Sequence, residues 1–318
     1  MALCLVTGIA GFIGSSLARA LLARGDRVRG IDNFSTGKRE NLEEMLEEID
    51  FRDANLADLD ALHAACRGVD YIFHQAAIPS VPKSVLDPLA SNRANVDATV
   101  HLLVAARDAK VKRVVYAASS SAYGDTPTLP KHEGMPPNPV SPYAVAKLAG
   151  EYYMTAFYRC YGLETVSLRY FNIFGPRQDP TSPYSGVLAK FITQMLEGEQ
   201  PTIFGDGTQS RDFTYIDNAV HANLLAAEAP ASDVAGQVFN VATGERADLN
   251  QTFELLKKIT SYGGDAGYGP ERAGDVKHSL ADLSRAEKHL GYRPQVRFEE
   301  GLRRTVAWYR EEMKPAGV

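Results

Sequence analysis

Leu3-Cys-Leu-Val-Thr-Gly8-Ile-Ala-Gly11-Phe-Ile-Gly14 is the stretch on which the reading of this chain turns. Leu3 to Val6 reads as a buried strand, three glycines follow at once, and Phe12 to Ala23 has the amphipathic pattern of a helix. Glycines between a strand and a helix let the chain turn tightly. They also let the backbone approach a pyrophosphate seated on the positive end of the helix. Three glycines alone are a weak signal. The strand before them and the helix after them strengthen it, and so does Asp32 at the end of the second apolar run, Val28 to Ile31. A carboxylate at that point can bind a ribose hydroxyl and repels a 2′-phosphate, so the turn reads as a site for NAD rather than NADP.

Outward from this turn, Val69 to Phe73, Val111 to Ala117 and Thr165 to Leu168 also read as buried strands, with a helical stretch from Val96 to Ala109 between them. Near-continuous apolar strands alternating with helices imply an α/β fold, a doubly wound parallel sheet of Rossmann type covered on both faces. Past about residue 176 the segments become shorter and richer in loops, with helices near 187–197, 249–260 and 298–312. The expected division is therefore a dinucleotide-binding domain over 1–176 and a smaller, mainly C-terminal substrate region over 177–318.

The 318 residues are 45% hydrophobic and 23% charged, enough for a sizeable core. The net charge is −5, and without a long basic run a nucleic-acid partner is not expected. No apolar stretch reaches the ~18 residues of a membrane span. The chain opens Met-Ala-Leu-Cys-Leu-Val, with no basic leader region or cleavage site. Cys4, Cys66 and Cys160 are too scattered for a disulfide framework, and His63 with Cys66 falls short of the about four ligands that zinc needs. A soluble, cytoplasmic protein without a metal is expected.

Tyr143-Ala-Val-Ala-Lys147 sets a phenol and an ammonium one helical turn apart on one face. A free Tyr titrates near 10 and is a poor base at neutral pH. A neighbouring Lys⁺ and a cationic nicotinamide both favour the phenolate. Ser119, Ser120 and Ser121 stand at the end of a strand, at the carboxyl edge where open α/β sheets bind ligands.

In order along the chain come Asp32-Asn33-Phe34-Ser35-Thr36-Gly37, His74-Gln75-Ala76-Ala77, Asn95, Ser119 to Gly124, Tyr143 to Lys147 and Arg169-Tyr170-Phe171-Asn172. With the GxxGxxG turn, this set resembles the extended short-chain dehydrogenases/reductases over nearly the whole chain. Within them it resembles the NAD-dependent UDP-sugar 4-epimerases, including the UDP-N-acetylglucosamine branch. The resemblance implies NAD contacts from Gly8, Gly11, Phe12, Ile13 and Gly14, and from Asp32, Asn33, Ser35, Thr36 and Gly37. It extends them to Gln75, Ala76, Ala77 and Asn95, and to Tyr143, Lys147 and Tyr170 toward the nicotinamide. Asn55-Leu56 stands where the family usually has Asp-Ile or Asp-Leu beside the adenine; an amide carbonyl still accepts from the adenine amine.

The resemblance also implies that Ser119, five residues before Gly124, shares the sugar O4 hydroxyl with the base Tyr143, which Lys147 tunes. Related 4,6-dehydratases follow that serine with an acidic pair, and decarboxylating relatives place a Glu nearby. Here Ser120 and Ser121 follow, so a 4-keto sugar can only be reduced back. Asn172 is expected on the diphosphate side. Thr202, Phe204, Gln209 and Arg211 belong to the nucleobase-and-phosphate segment, with Arg211 and Arg272 clamping the diphosphate. Ser80, Ser120, Ser121, Gln178, Gly186, Val187 and Asp275 are the further substrate candidates. Ser279, seven residues after Arg272, stands where the family places the residue beside the sugar C2 substituent. A Tyr there leaves room for a hydroxyl only, whereas a serine leaves room for an N-acetyl group. Pro79 departs from the smaller residue usual at the pocket rim.

The expected activity is 4-epimerisation of UDP-hexoses, most of all the N-acetylated pair. A UDP-glucuronate or UDP-glucose-only 4-epimerase is the nearer alternative. A non-catalytic dinucleotide sensor is the distant one, and retention of Tyr143 and Lys147 argues against it. Family members pair through helices like Val96–Ala109 and Ala144–Cys160, which implies a homodimer.

Overall fold

The computed structural model describes residues 1–180, 186–271 and 277–313. Its central sheet contains β1 (Leu3–Thr7), β2 (Arg27–Asp32), β3 (Ile49–Asp53), β4 (Tyr71–His74), β5 (Arg113–Ser119), β6 (Glu164–Tyr170) and a last strand, Gln237–Val241. The order across the sheet is Gln237–Val241, β6, β5, β4, β1, β2, β3, with every neighbouring pair parallel. The expected doubly wound α/β sheet is therefore present, with its strand order reversing between β1 and β4. In such sheets, ligands bind at the carboxyl edge of this switch point. Thr7, Asp32, His74, Ser119 and Tyr170 are the residues that end their strands there.

Helices α1 (Phe12–Ala23), α2 (Leu59–Cys66), α3 (Val81–Leu86), α4 (Pro88–Asn92), α5 (Ala98–Asp108) and α6 (Pro142–Tyr161) lie between successive strands. Side chains alternate along β1. Leu3 and Leu5 join the face packed by Leu62, Leu102 and Met154, while Cys4 and Val6 join Leu17 and Leu21 on the other. Helix α6 starts where Ser141 accepts the Ala144 amide at 3.2 Å with Pro142 in the first turn, and it stops at the left-handed Gly162.

The C-terminal part supplies α7 (Val187–Glu197), α8 (Ile216–Glu228) and helices Leu249–Thr260 and Phe298–Glu312. Short strands pair Thr202–Phe204 with Gly267–Gly269, and Ser210–Arg211 with Ala247–Asp248. Phe213 stacks on Phe298 at 5.1 Å. Between α8 and Leu249–Thr260 the chain returns to the sheet through Gln237–Val241, so this one sheet strand lies on the C-terminal side of 176/177.

Between α4 and α5 the helix widens to a π turn over Arg93–Asp97. There Asn95 Oδ1 accepts the Ile78 amide at 2.9 Å, which ties the loop after β4 to the helix. His74, fully buried, continues this tie. The Thr99 hydroxyl donates to the Asn95 carbonyl at 2.7 Å. It therefore accepts from His74 Nε2–H, 2.9 Å away, and Nδ1 accepts from the Thr7 hydroxyl at 2.8 Å. Burial, with Lys147 adding to it, holds the imidazole neutral by pushing its pKa down to about 3.

Candidate active site

A cleft of about 680 Å³ opens along the carboxyl edge of the sheet. It begins at the glycine turn. Gly8 has φ +68°, and a Cβ on it would sit 2.7 Å from Ala76 Cα; a Cβ on Gly14 would sit 2.1 Å from the Gly8 carbonyl oxygen. Only glycine fits at these two positions. The first turn of α1 carries no acidic residue and no side-chain cap, which leaves its amides and positive end for a ligand anion. Asp32 accepts from the Ala10 amide at 2.9 Å and the Phe34 amide at 2.8 Å. A carboxylate has about four acceptor positions, so acceptor capacity remains for a ribose hydroxyl. Burial raises the Asp32 carboxyl, against backbone hydrogen bonds from Phe34, Ala10 and Asn33. The cradle and the free acceptor capacity fit NAD.

Farther along, Tyr143 and Lys147 of α6 face the end of β5. Burial pushes the Tyr143 phenol up to about 12, and a hydrogen bond from Ser119 opposes it. Ser119 Oγ in turn accepts from the Ser121 hydroxyl at 2.8 Å and the Ser121 amide at 3.2 Å. Lys147 Nζ donates to the Ala117 carbonyl at 2.8 Å and lies 4.9 Å from the centre of the Tyr116 ring. Burial lowers the ammonium to about 7, against the charge of Glu151. Tyr170 closes a ring of hydrogen bonds. It donates to Gln75 Oε1 at 3.2 Å and accepts from Asn223 Nδ2 at 2.7 Å, while Gln75 Nε2 donates to Asn223 Oδ1 at 3.0 Å. Asn223, on α8, went unnoticed in the sequence because nothing near it marks a site.

The glycine turn, Asp32, Asn33, Ser35, Thr36, Asn55, Leu56, Gln75, Ala76, Ala77, Ser119, Tyr143, Lys147 and Tyr170 all line this cleft. Two expected cofactor contacts do not. Gly37 packs behind Ala10, where a Cβ would meet Ala10 Cβ at 2.8 Å, and Asn95 is spent on Ile78.

At the far end, Ser80, Ser120, Ser121, Asn172, Gln178, Gly186, Arg211 and Ser279 line the cleft. Ser80 also caps α3. Val187, Thr202, Phe204 and Gln209 line an adjoining cavity of about 460 Å³, which shares Asn172, Gln178, Gly186 and Arg211. Asn172 Nδ2 donates to the Asp212 carbonyl at 3.2 Å and to Ser279 Oγ at 3.4 Å. Arg272 and Asp275 lie outside the described residues. Asp212 was missed in the sequence. Its buried carboxylate accepts from the amides of Thr243, Gly244 and Ala281 and from the Thr243 hydroxyl, which joins the loops that carry Ser279. Lys38 and Asp179, also missed, pair across the cleft at 3.0 Å. Among the described residues, no group of three or more His, Cys, Asp or Glu could hold a metal, and no helix is long and apolar enough to cross a membrane.

Residues 4–242 match the model of the NAD dependent epimerase/dehydratase family. UDP-glucose 4-epimerase of Mycolicibacterium smegmatis is 41% identical over 313 residues, covering 97% of this chain and 98% of that protein. The crystal structure of UDP-glucose 4-epimerase from Thermotoga maritima with UDP-glucose superposes with a TM-score of 0.93 at 40% identity, over 98% of this chain and 100% of that one. UDP-N-acetylglucosamine 4-epimerase from Methanobrevibacter ruminantium M1, in complex with UDP-N-acetylmuramic acid, gives a TM-score of 0.93 at 43% identity, over 98% and 99%. The chain belongs to the NAD dependent epimerase/dehydratase family, in the extended short-chain dehydrogenase/reductase class. Within that family it is an NAD-dependent UDP-sugar 4-epimerase.

Proposed function

We propose that this UDP-sugar 4-epimerase interconverts UDP-N-acetylglucosamine and UDP-N-acetylgalactosamine at least as well as the unacetylated pair. The observation that carries this reading is Ser279. Its small side chain stands at the cleft wall with Gln178 and Gly186, where a larger residue would fill the room an N-acetyl group needs. NAD, when bound, supplies the redox chemistry at C4 of the sugar, taking up hydrogen and giving it back. The rest falls to the chain. Tyr143 receives the O4 proton and returns it, Ser119 orients O4, and Lys147 stands beneath them as the cation that favours the phenolate. Asn172 and Arg211 hold the diphosphate and uridine side. Ser120 and Ser121 lack any group that titrates near pH 7, so a 4-keto sugar finds no acid or base for elimination.

We also read the protein as a cytoplasmic homodimer. Cys4 and Cys66 are buried and unpaired, with thiols pushed by burial up to about 12, and Cys160 is exposed and unpaired; a reducing compartment suits them. Val85, Leu86 and Leu89 of α3 and α4, with Val145 and Tyr152 of α6, are exposed apolar side chains. They support pairing through α6, whereas Leu102, Leu103, Ala105 and Ala106 of α5 are buried within the chain's own core. Incubating the purified protein with UDP-N-acetylglucosamine, UDP-glucose and UDP-glucuronate, and following C4 epimers by proton NMR, tests the substrate assignment. Turnover of UDP-glucose or UDP-glucuronate without any turnover of the acetylated sugar would refute it.

A further inference from the structure

Tyr143, Lys147 and Glu151 follow one another at four-residue spacing, so a third ionisable group stands on the catalytic face of α6. Glu151 is 2% exposed. Both its oxygens are taken by Arg169 of β6, with Nε to Oε1 at 2.9 Å and Nη2 to Oε2 at 2.8 Å. The remaining nitrogen of the fork, Nη1, is buried without a hydrogen-bond partner, and the guanidinium carbon lies 4.6 Å from the centre of the Tyr123 ring. A buried ion pair is a poor stabiliser, since apolar residues of similar volume hold a core as well or better. Its place behind Lys147 points to another role.

We propose that Glu151 and Arg169 form a positioning pair for Lys147: Glu151 keeps an anion one turn behind the ammonium, and Arg169 occupies both carboxylate oxygens so that Lys147 stays on the Ala117 carbonyl. This rests on the reading that Lys147 serves Tyr143. The groups facing Lys147 are Tyr143 and Glu151 on its own helix, Tyr116 of β5 and His74 of β4. Tyr116 is a buried phenol pushed well above its usual value, and His74 is neutral. The groups facing Glu151 are Arg169, Lys147 and Tyr116, and Arg169 also faces Tyr123 and Glu133. The charge that opposes the burial of Lys147 is that of Glu151. Burial raises the Glu151 carboxyl, and the two hydrogen bonds and the charge of Arg169 oppose that rise in favour of the anion. Without Glu151, Lys147 keeps its burial, loses its counter-charge and gains an unpaired guanidinium nearby. It then gives up its proton at lower pH.

The test is the pH profile of kcat in the NAD-loaded protein. In Glu151→Gln the alkaline limb moves acidward by on the order of one pH unit, with little change in KM for the UDP-sugar. Glu151→Asp restores part of the shift. The double variant Glu151→Gln/Arg169→Met removes both charges, and because the charge acting on Lys147 is that of Glu151 its limb still moves acidward, by less. The double variant also keeps the test alive if the single one does not fold, since it leaves no unpaired buried charge. Variants that lose thermal stability but keep the wild-type pH profile would overturn the proposal. Lys147→Met tests the underlying reading separately: if it stays active, Lys147 does not serve Tyr143, whatever Glu151 does.

Discussion

Replacing Ser279 with tyrosine probes the sugar pocket through two separable effects. Ser279 is 9% exposed, and its hydroxyl accepts from the Asp212 amide at 3.3 Å and from Asn172 Nδ2 at 3.4 Å. Losing that acceptor contributes about 1 kcal/mol, about fivefold in kcat/KM, for any UDP-sugar held by Asn172. The ring adds a second effect, felt by the acetylated sugars alone. Overpacking a filled site costs about 1–3 kcal/mol, which is about 5- to 150-fold. Ser279→Ala carries the first effect without the second. Initial rates by proton NMR should therefore fall about fivefold on both sugar classes in Ser279→Ala. In Ser279→Tyr the fall should be about fivefold on UDP-glucose, with a further loss on UDP-N-acetylglucosamine of between about 5- and 150-fold. Equal losses on both substrates in Ser279→Tyr would refute the placement of the C2 substituent against Ser279, and so would an unchanged ratio of the two activities.

Tyr143→Phe should lower kcat by about 10² or more, as expected for loss of a general base, while the purified protein still carries NAD(H) released by acid; near-normal turnover would remove Tyr143 from its role. His74 gives a pH dependence of stability. Burial has lowered its pKa from 6.5 to about 3, so below about 6.5 the unfolded chain takes up a proton that the folded one refuses. Its contribution is complete above that value and declines as pH falls, by about 2 kcal/mol at about pH 5. Urea unfolding of wild type and His74→Gln at about pH 7.5 and about pH 5 should show a steeper loss in the wild type, and parallel losses would count against a neutral buried imidazole. Light scattering of the eluting protein should give twice the 34.7 kDa chain mass. Leu86→Glu/Leu89→Glu, on the exposed α3–α4 face, should move it toward one chain mass, and a monomeric wild type would end the homodimer assignment.

Much of the architecture is local and was legible in the residues themselves. The helices expected from hydrophobic periodicity at 12–23, 187–197, 249–260 and 298–312 appear over those same spans, because an amphipathic stripe and its end signals lie within a few turns of each other. The glycine turn was legible for the same reason: a crowded backbone at Gly8 and Gly14 excludes a side chain, and glycine records that exclusion directly. Strand β3 was harder to see. It lies at the sheet edge, and Asp50, Arg52 and Asp53 leave it little of the apolar run that marks buried strands. Gln237–Val241 is apolar enough, but nothing local says that a strand so late in the chain returns to pair with β6.

The partners across the site were decided by the tertiary structure alone. Sequence spacing put Tyr143 and Lys147 on one face of a helix; packing against β5 turned Lys147 toward Ala117 and brought Ser119 to the phenol. Gly37 and Asn95 read as cofactor contacts, and only the fold sets Gly37 against Ala10 and ties Asn95 to Ile78. Arg169 meets Glu151, Asp212 gathers three loops, and Asn223 closes the ring with Gln75 and Tyr170 across separations of 18, 31 to 69, and 53 to 148 residues. The physical reason is one of range. Backbone freedom, helix periodicity and capping act over a handful of residues and are written where they act. A buried polar group must find its partner wherever the folded chain brings one within hydrogen-bond reach, and that place is settled only when the whole core packs.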